Sequence, residues 1–180
     1  MTILTVYHEA QPECPLKILT YAEDITATLA EAGIDFAQLG VSARLEKGAD
    51  VASVLTAFAG EIEHCKALRP DLREVVVEGI GENSADEGIR RREHIQKVDE
   101  VRFFAVGIGM IALHIGELVY AVRGERGDVL AVPAGTRRWY DDGERPNSIA
   151  VVVYASSERT PVDTGEAIAS RFPGFDEFGG

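Results

Sequence analysis

The spacing of apolar residues changes along the chain, and the change divides it in two. In the first 80 residues, two stretches repeat at helical intervals. Ile25 and Leu29 share a face within residues 21–32, behind a Thr20–Glu23 pair at capping-box spacing and ahead of Gly33. Val51, Val54, Leu55, Phe58, Ile62 and Cys65 recur from Asp50 to about Leu68, and Pro70 marks the end of that helix. Ile34, Phe36 and Leu39 read as a short strand, and Val75, Val76 and Val77 as another. Beyond residue 100 the pattern becomes short apolar runs, at 101–106, 110–115, 118–123, 129–133 and 149–154. Turn signals separate them at 107–109, 115–117, 124–128 and 141–143. Evenly spaced short strands with glycine turns predict a small barrel or jelly roll.

Residues 79–97 are polar, hold three consecutive arginines (Arg90, Arg91 and Arg92), and read as a long connection with one helical turn. A short helix is expected at 166–170, and the tail 171–180 is expected along the surface. The fold class is therefore an all-β core with N-terminal helices. It forms one domain over 1–180, with a helical and mixed extension at 1–80 packed on a barrel core at 90–160.

Charge narrows the partners. Thirty acidic against 18 basic residues give a formal charge of -12, which argues against nucleic acid and against anionic membrane. A small anionic ligand in a locally basic pocket remains compatible. No apolar run approaches the roughly 18 residues of a membrane span, and the N-terminal residues carry no secretory pattern. Cys14 and Cys65 form no close motif, so reduced thiols and a cytoplasmic location are expected.

Four histidines are candidates for chemistry. His8 and His64 read as structural or surface groups. His114 lies on the face opposite Leu113 and Ile115, and its role depends on which face is inside. His94 begins a row of equal parity with Gln96, Glu100, Arg102 and Phe104, which an extended chain would aim at one side to make a polar pocket with an aromatic wall. A second feature is Val132-Pro133-Ala134-Gly135-Thr136-Arg137-Arg138-Trp139-Tyr140-Asp141. One inward arginine there would bind a carboxylate, a phosphate or an enediolate oxygen; the other reading is an exposed basic pair beside a core tryptophan.

These two segments resemble the acireductone dioxygenase family of cupins. That family's Glu-His-x-His-x-x-x-Glu and following Val-Arg-Phe-Phe correspond here to residues 93–104. Its Val-Pro-Ala, turn, His-Trp-Phe-Asp corresponds to residues 132–141, and Leu113-His114-Ile115-Gly116-Glu117 is also similar. The resemblance runs along nearly the whole chain. It implies a cupin double-stranded β-helix that, in the family, holds Fe(II) or Ni(II) through three histidines and a glutamate and cleaves an acireductone with O2. The four ligand positions fall on His94, Gln96, Glu100 and Arg138. Only His94 and Glu100 are retained, because an amide oxygen is a poor substitute for imidazole and a guanidinium has no lone pair to give.

The expectation is therefore a pocket without the metal, with Arg138 in the ion's place and no cofactor. His94 or Glu100 would act as base and Arg102 or Arg138 as the electrostatic partner, with Gln96, Phe103, Phe104 and Trp139 lining the substrate. Such a set suits isomerisation, dehydration or cyclisation of a small enolisable or anionic metabolite. Three alternatives stand beside it. One is a genuine acireductone dioxygenase using Fe(II) or Ni(II) on His94 and Glu100, with Gln96 as an optional third ligand; the second is a ligand-binding cupin without turnover; the third is a structural or partner-binding protein. The chain is expected to be a monomer or a homodimer.

Overall fold

The computed structural model of the chain describes every residue except 70, 81–86 and 178–180. The strands are β1 (Ile3–His8), β2 (Pro15–Leu19), β3 (Asp35–Gln38), β4 (Glu74–Glu78), β5 (His94–Ile95), β6 (Glu100–Val106), β7 (Ile108–Ile115), β8 (Leu118–Glu125), β9 (Asp128–Val132), β10 (Arg137–Asp141), β11 (Ile149–Tyr154) and β12 (Val162–Asp163). The helices are α1 (Ala22–Glu31), α2 (Val51–Ala57), α3 (Ala59–Leu68) and α4 (Glu87–Arg90), followed by 3₁₀ turns at Ile168–Arg171 and Phe175–Glu177. Two antiparallel sheets result, one in the order β12-β5-β10-β7-β8-β1-β2 and one in the order β3-β9-β6-β11-β4. This is the cupin-like jelly roll that the glycine-punctuated strands predict.

Alternation along each strand sorts the side chains into three layers. Leu4, Val6, Ile111, Leu113 and Val122 from the first sheet meet Phe36, Phe104, Leu130 and Val132 from the second in one buried cluster. The outer face of the second sheet, with Val101, Phe103, Val129, Ala131, Val151 and Val153, is covered by Val54, Phe58, Ile62 and Cys65 from α2 and α3. The outer face of the first sheet, with Met110, Ala112 and Trp139, is covered by Ile168 and Phe172. Phe172 is buried against the Tyr7 and Trp139 rings, so the start of the tail is a packed strap and not the surface segment expected.

Several boundaries differ from the sequence reading. The N-cap of α1 is Tyr21, with no side-chain cap, so the Thr20–Glu23 capping box does not form; burial of Ile25 and Leu29 holds the helix instead. The helix expected over 50–68 is two helices meeting at Phe58, and Asp50 caps the first through the Ser53 amide. β1 and β2 were not foreseen, and β1 pairs with β8 over its full length. β1 to β4 all enter the two sheets, so residues 1–80 are part of the barrel wall as well as its helical cover. Among the described residues, no helix is long and apolar enough to cross a membrane.

Candidate functional site

One part of the barrel interior is polar, and three strands supply it. β6 aims Glu100 and Arg102 inward, because alternate residues of a strand share a face. β10 aims Arg138 and Tyr140 inward, and β5 pairs with β10 so that His94 stands opposite Arg138. His94, Glu100 and Arg138 have no solvent exposure (0 % each), and Gln96 and Arg102 are also buried. Of the row of equal parity, His94, Glu100 and Arg102 thus come together, although β5 and β6 belong to different sheets.

Glu100 is the centre. Its Oε2 lies 3.0 Å from Arg138 Nη1, its Oε1 accepts the Tyr140 hydroxyl at 2.8 Å, and Arg102 Nε is 3.9 Å away. Arg138 is anchored by donating from Nε to the Thr136 carbonyl (3.1 Å) and from Nη2 to the Pro133 carbonyl (3.0 Å). Those carbonyls belong to the turn that precedes β10, so the proline- and glycine-bearing loop holds the guanidinium in place. Burial opposes the charge on Arg138, but Glu100 together with the neighbouring Tyr140 and Tyr154 outweighs it and holds the pKa above the ordinary arginine value. The Tyr140 phenol is pushed up by burial and by Glu100, so it stays a donor.

His94 is fixed as a particular tautomer. Its Nδ1 lies 2.8 Å from the Arg92 carbonyl. A carbonyl only accepts, so Nδ1 carries the proton and Nε2 carries the lone pair. That Nε2 is buried and has no hydrogen-bond partner among the described residues. Burial first, then the nearby Arg138 guanidinium, pushes the His94 pKa below the ordinary histidine range, against the hydrogen bond to Arg92. The imidazole is therefore neutral. Gln96 Oε1 and Arg102 Nη2 likewise lack a hydrogen-bond partner among the described residues, whereas Glu100 Oε2 and Arg138 Nη1 have each other as ion-pair partners. Buried polar atoms are ordinarily paired, so these unmatched ones stand out.

Other expected residues go elsewhere. Phe104 faces the interior but packs on the backbone at Gly124, where a Cβ would come 2.7 Å from its ring. Phe103 and Trp139 are not pocket walls. Phe103 points out of the barrel into an edge contact with Phe58, 5.5 Å between centroids. Trp139 points out of the opposite sheet, beside a cavity of about 100 Å3 shared with Met110 and Phe172. Each is the strand neighbour of an inward residue, and alternation turns it away. His114 is buried beside Glu93 Oε2 (2.6 Å) and Glu9 Oε2 (2.7 Å), with Thr164 donating to Glu93; this ties β7 to the segments flanking β5 and lies outside the polar interior.

Sequence reasoning missed Tyr140, Glu78 and Arg90. Tyr140 was legible, since it shares parity with Arg138. Glu78 ends β4 and accepts from Arg90 Nη2 (2.6 Å) and Arg102 Nη1 (2.8 Å). Burial would raise the Glu78 pKa, but Arg102 and Arg90 outweigh it and hold the carboxyl below its usual range. No local pattern announced that trio.

The residues do not suit a divalent transition ion. Arg138 places a permanent cation 3.0 Å from the carboxylate that such an ion would need. Gln96 offers a neutral amide oxygen, and among the described residues no group of three His, Cys, Asp or Glu side chains is placed to hold a metal.

Known proteins place the chain. The ARD/ARD' family profile matches residues 82–160. Acireductone dioxygenase of Pseudomonas paraeruginosa is 46% identical over 177 residues, covering 96% of this chain and 98% of that protein. The Stutzerimonas stutzeri acireductone dioxygenase is 40% identical over 181 residues, covering 98% of this chain and 100% of the other. A solved acireductone dioxygenase from Bacillus anthracis, with a cadmium ion in its active center, shares the fold. Its TM-score is 0.72 at 19% identity, over 90% of this chain and 98% of that one. Identity running almost end to end shows that the chain belongs to the acireductone dioxygenase family, as a divergent cupin in which no metal-ligand cluster is found among the described residues.

Proposed function

We propose that the protein carries out non-oxidative acid–base chemistry on a small enolisable, anionic metabolite, with His94 as the base. The observation that carries this reading is the open, buried Nε2 lone pair of a neutral imidazole in the same interior as Arg138 and Arg102. Nε2 takes a proton from a carbon next to a carbonyl. The C–H electron pair becomes the enolate double bond, and the negative oxygen faces Arg138 Nη1 or the open Nη2 of Arg102. Return of the proton from His94 to a neighbouring atom completes an isomerisation.

Glu100 is engaged by Arg138 and Tyr140, which suits positioning of those two groups better than proton abstraction. That engagement also favours, as a second reading, a cupin that binds its ligand without turnover. Proton NMR in D2O with short 2-oxo acids separates the two. Catalysed loss of the C–H signal beside the carbonyl, reduced about 10²–10⁴-fold in His94→Gln, is the expected result. Binding without exchange would leave the ligand-binding reading, and neither binding nor exchange would overturn both.

A further inference from the structure

Exposure within the polar interior rises toward one group of residues. Side-chain exposure falls from 23% at Arg90 and 15% at Glu78 to 5% at Arg102 and 0% at Arg138 and Glu100. Among these five residues, Arg90 and Glu78 are the ones nearest solvent. There two guanidiniums share one carboxylate oxygen: Arg90 Nη2 and Arg102 Nη1 both reach Glu78 Oε2. The sharing leaves Arg102 Nη2 without a hydrogen-bond partner among the described residues, while Glu100 Oε1 stands 3.9 Å from Nε and the Asp142 carboxyl lies close enough to interact with both guanidiniums. Among the described residues, the other oxygen of Glu78 has a long 3.5 Å contact from the Tyr154 hydroxyl. Glu78 is the last residue of β4 and is followed by Gly79 at φ +89°, so its side chain sits at a strand end and not in mid-sheet.

Both guanidiniums lie over the Tyr140 ring, Arg90 at 4.6 Å and Arg102 at 4.2 Å from its centroid. The same ring is 5.6 Å from the His94 ring. The Tyr140 ring is thus a shared neighbour of the two arginines and of the base.

We propose that Arg90 is the specificity-determining residue of the pocket: with Arg102 it forms a carboxylate subsite, which Glu78 fills as an internal counter-ion until a ligand carboxylate displaces it. This rests on the reading of the interior as a site for a small enolisable anion, and it adds the carboxylate and the residue that selects it. It also gives a use to the first of the three consecutive arginines. The second, Arg91, borders the cavity beside Trp139, and the third, Arg92, pairs with Asp163 at 2.9 Å.

The test is calorimetric titration of the full chain with pyruvate, 2-oxobutanoate and their methyl esters, using wild type, Glu78→Gln and Arg90→Gln. Removing the internal competitor should tighten binding of the acids about tenfold, and removing Arg90 should weaken it about tenfold, each being the effect of one charge-assisted hydrogen bond. The esters should bind weakly to all three proteins. Unchanged or weaker acid binding in a folded Glu78→Gln protein overturns the proposal. So does ester binding equal to that of the acid, or no acid binding to any of the proteins. Should Glu78→Gln fail to fold, Arg90→Gln at the partly exposed position decides alone, and unchanged affinity there is fatal. Acid binding that responds to Glu78 and Arg90 without proton exchange would keep this subsite and remove His94 as a base. Exchange on the neutral esters, indifferent to both substitutions, would do the reverse.

Discussion

Replacing Arg138 by methionine removes a fully buried cation from a fully buried carboxylate while keeping much of the side-chain volume. Glu100 would retain the Tyr140 hydroxyl and the more distant Arg102, so it is weakened but not abandoned. Breaking one partner of a buried ion pair costs about 3–5 kcal/mol, and the remaining Tyr140 and Arg102 contacts place this case near the lower end. The Thr136 and Pro133 carbonyls also lose their donors, at about 1 kcal/mol each. A loss of about 5 kcal/mol follows, which for a chain of this size lowers the melting temperature by about 15 °C. The companion change Glu100→Gln keeps a group able to accept from Tyr140 and removes the stranded charge. In the Arg138→Met background it should recover about 2 kcal/mol. Urea unfolding of the two single variants and the double variant, followed by circular dichroism, gives the coupling energy directly. A single-variant cost under about 1 kcal/mol, or effects additive to within about 0.5 kcal/mol, would show that the pair does not organise the interior.

Further outcomes follow from the same geometry. Phe103→Ala should cost about 3–5 kcal/mol in urea unfolding through its packing on Phe58, yet leave ligand binding in the refolded protein unchanged; altered binding would return Phe103 to the pocket. Gln96→His combined with Arg138→His supplies imidazoles where an amide and a cation now stand. The double variant should take up one Ni(II) per chain with an affinity wild type does not match, measured by titration after chelator treatment; equal uptake by wild type would refute the claim that Arg138 keeps the ion out. His94 has a folded pKa below its unfolded value, so its contribution to stability is intact above the unfolded pKa of about 6.5 and is lost as pH falls below it. Stability measured between pH 7.5 and 5.5 should therefore fall more steeply in wild type than in His94→Gln, and parallel curves would refute that assignment. A Cβ at Gly124 would press on the Phe104 ring, so Gly124→Ala should cost about 1–3 kcal/mol; a neutral result in thermal unfolding would mean the ring has room to move.

The fold was legible where its cause is local. Short apolar runs between glycine turns gave β6 to β9 and β11, because period-two alternation and positive-φ turns act over a few residues. The row His94, Gln96, Glu100, Arg102 and Phe104 was legible for the same reason, and two motifs in order, at family-like separation, carried the family. β2 was hidden because all but one of its residues are exposed and no apolar face marks it. Its partner β1 was missed although four of its six residues are buried.

What the sequence determined was a strand-rich cupin with a guanidinium where its relatives' pattern has a metal ligand. Only the tertiary structure decided how that interior is arranged. Alternation says that Arg138 and Tyr140 share one face of β10 and Trp139 takes the other, but it does not say which face is inside; the opposing sheet and the covering strap settle that. The Glu78–Arg90–Arg102 trio has no sequence signature at all, because its members come from a strand end, a short helix and a different strand. Burial brings them together, since charges removed from water persist only beside partners.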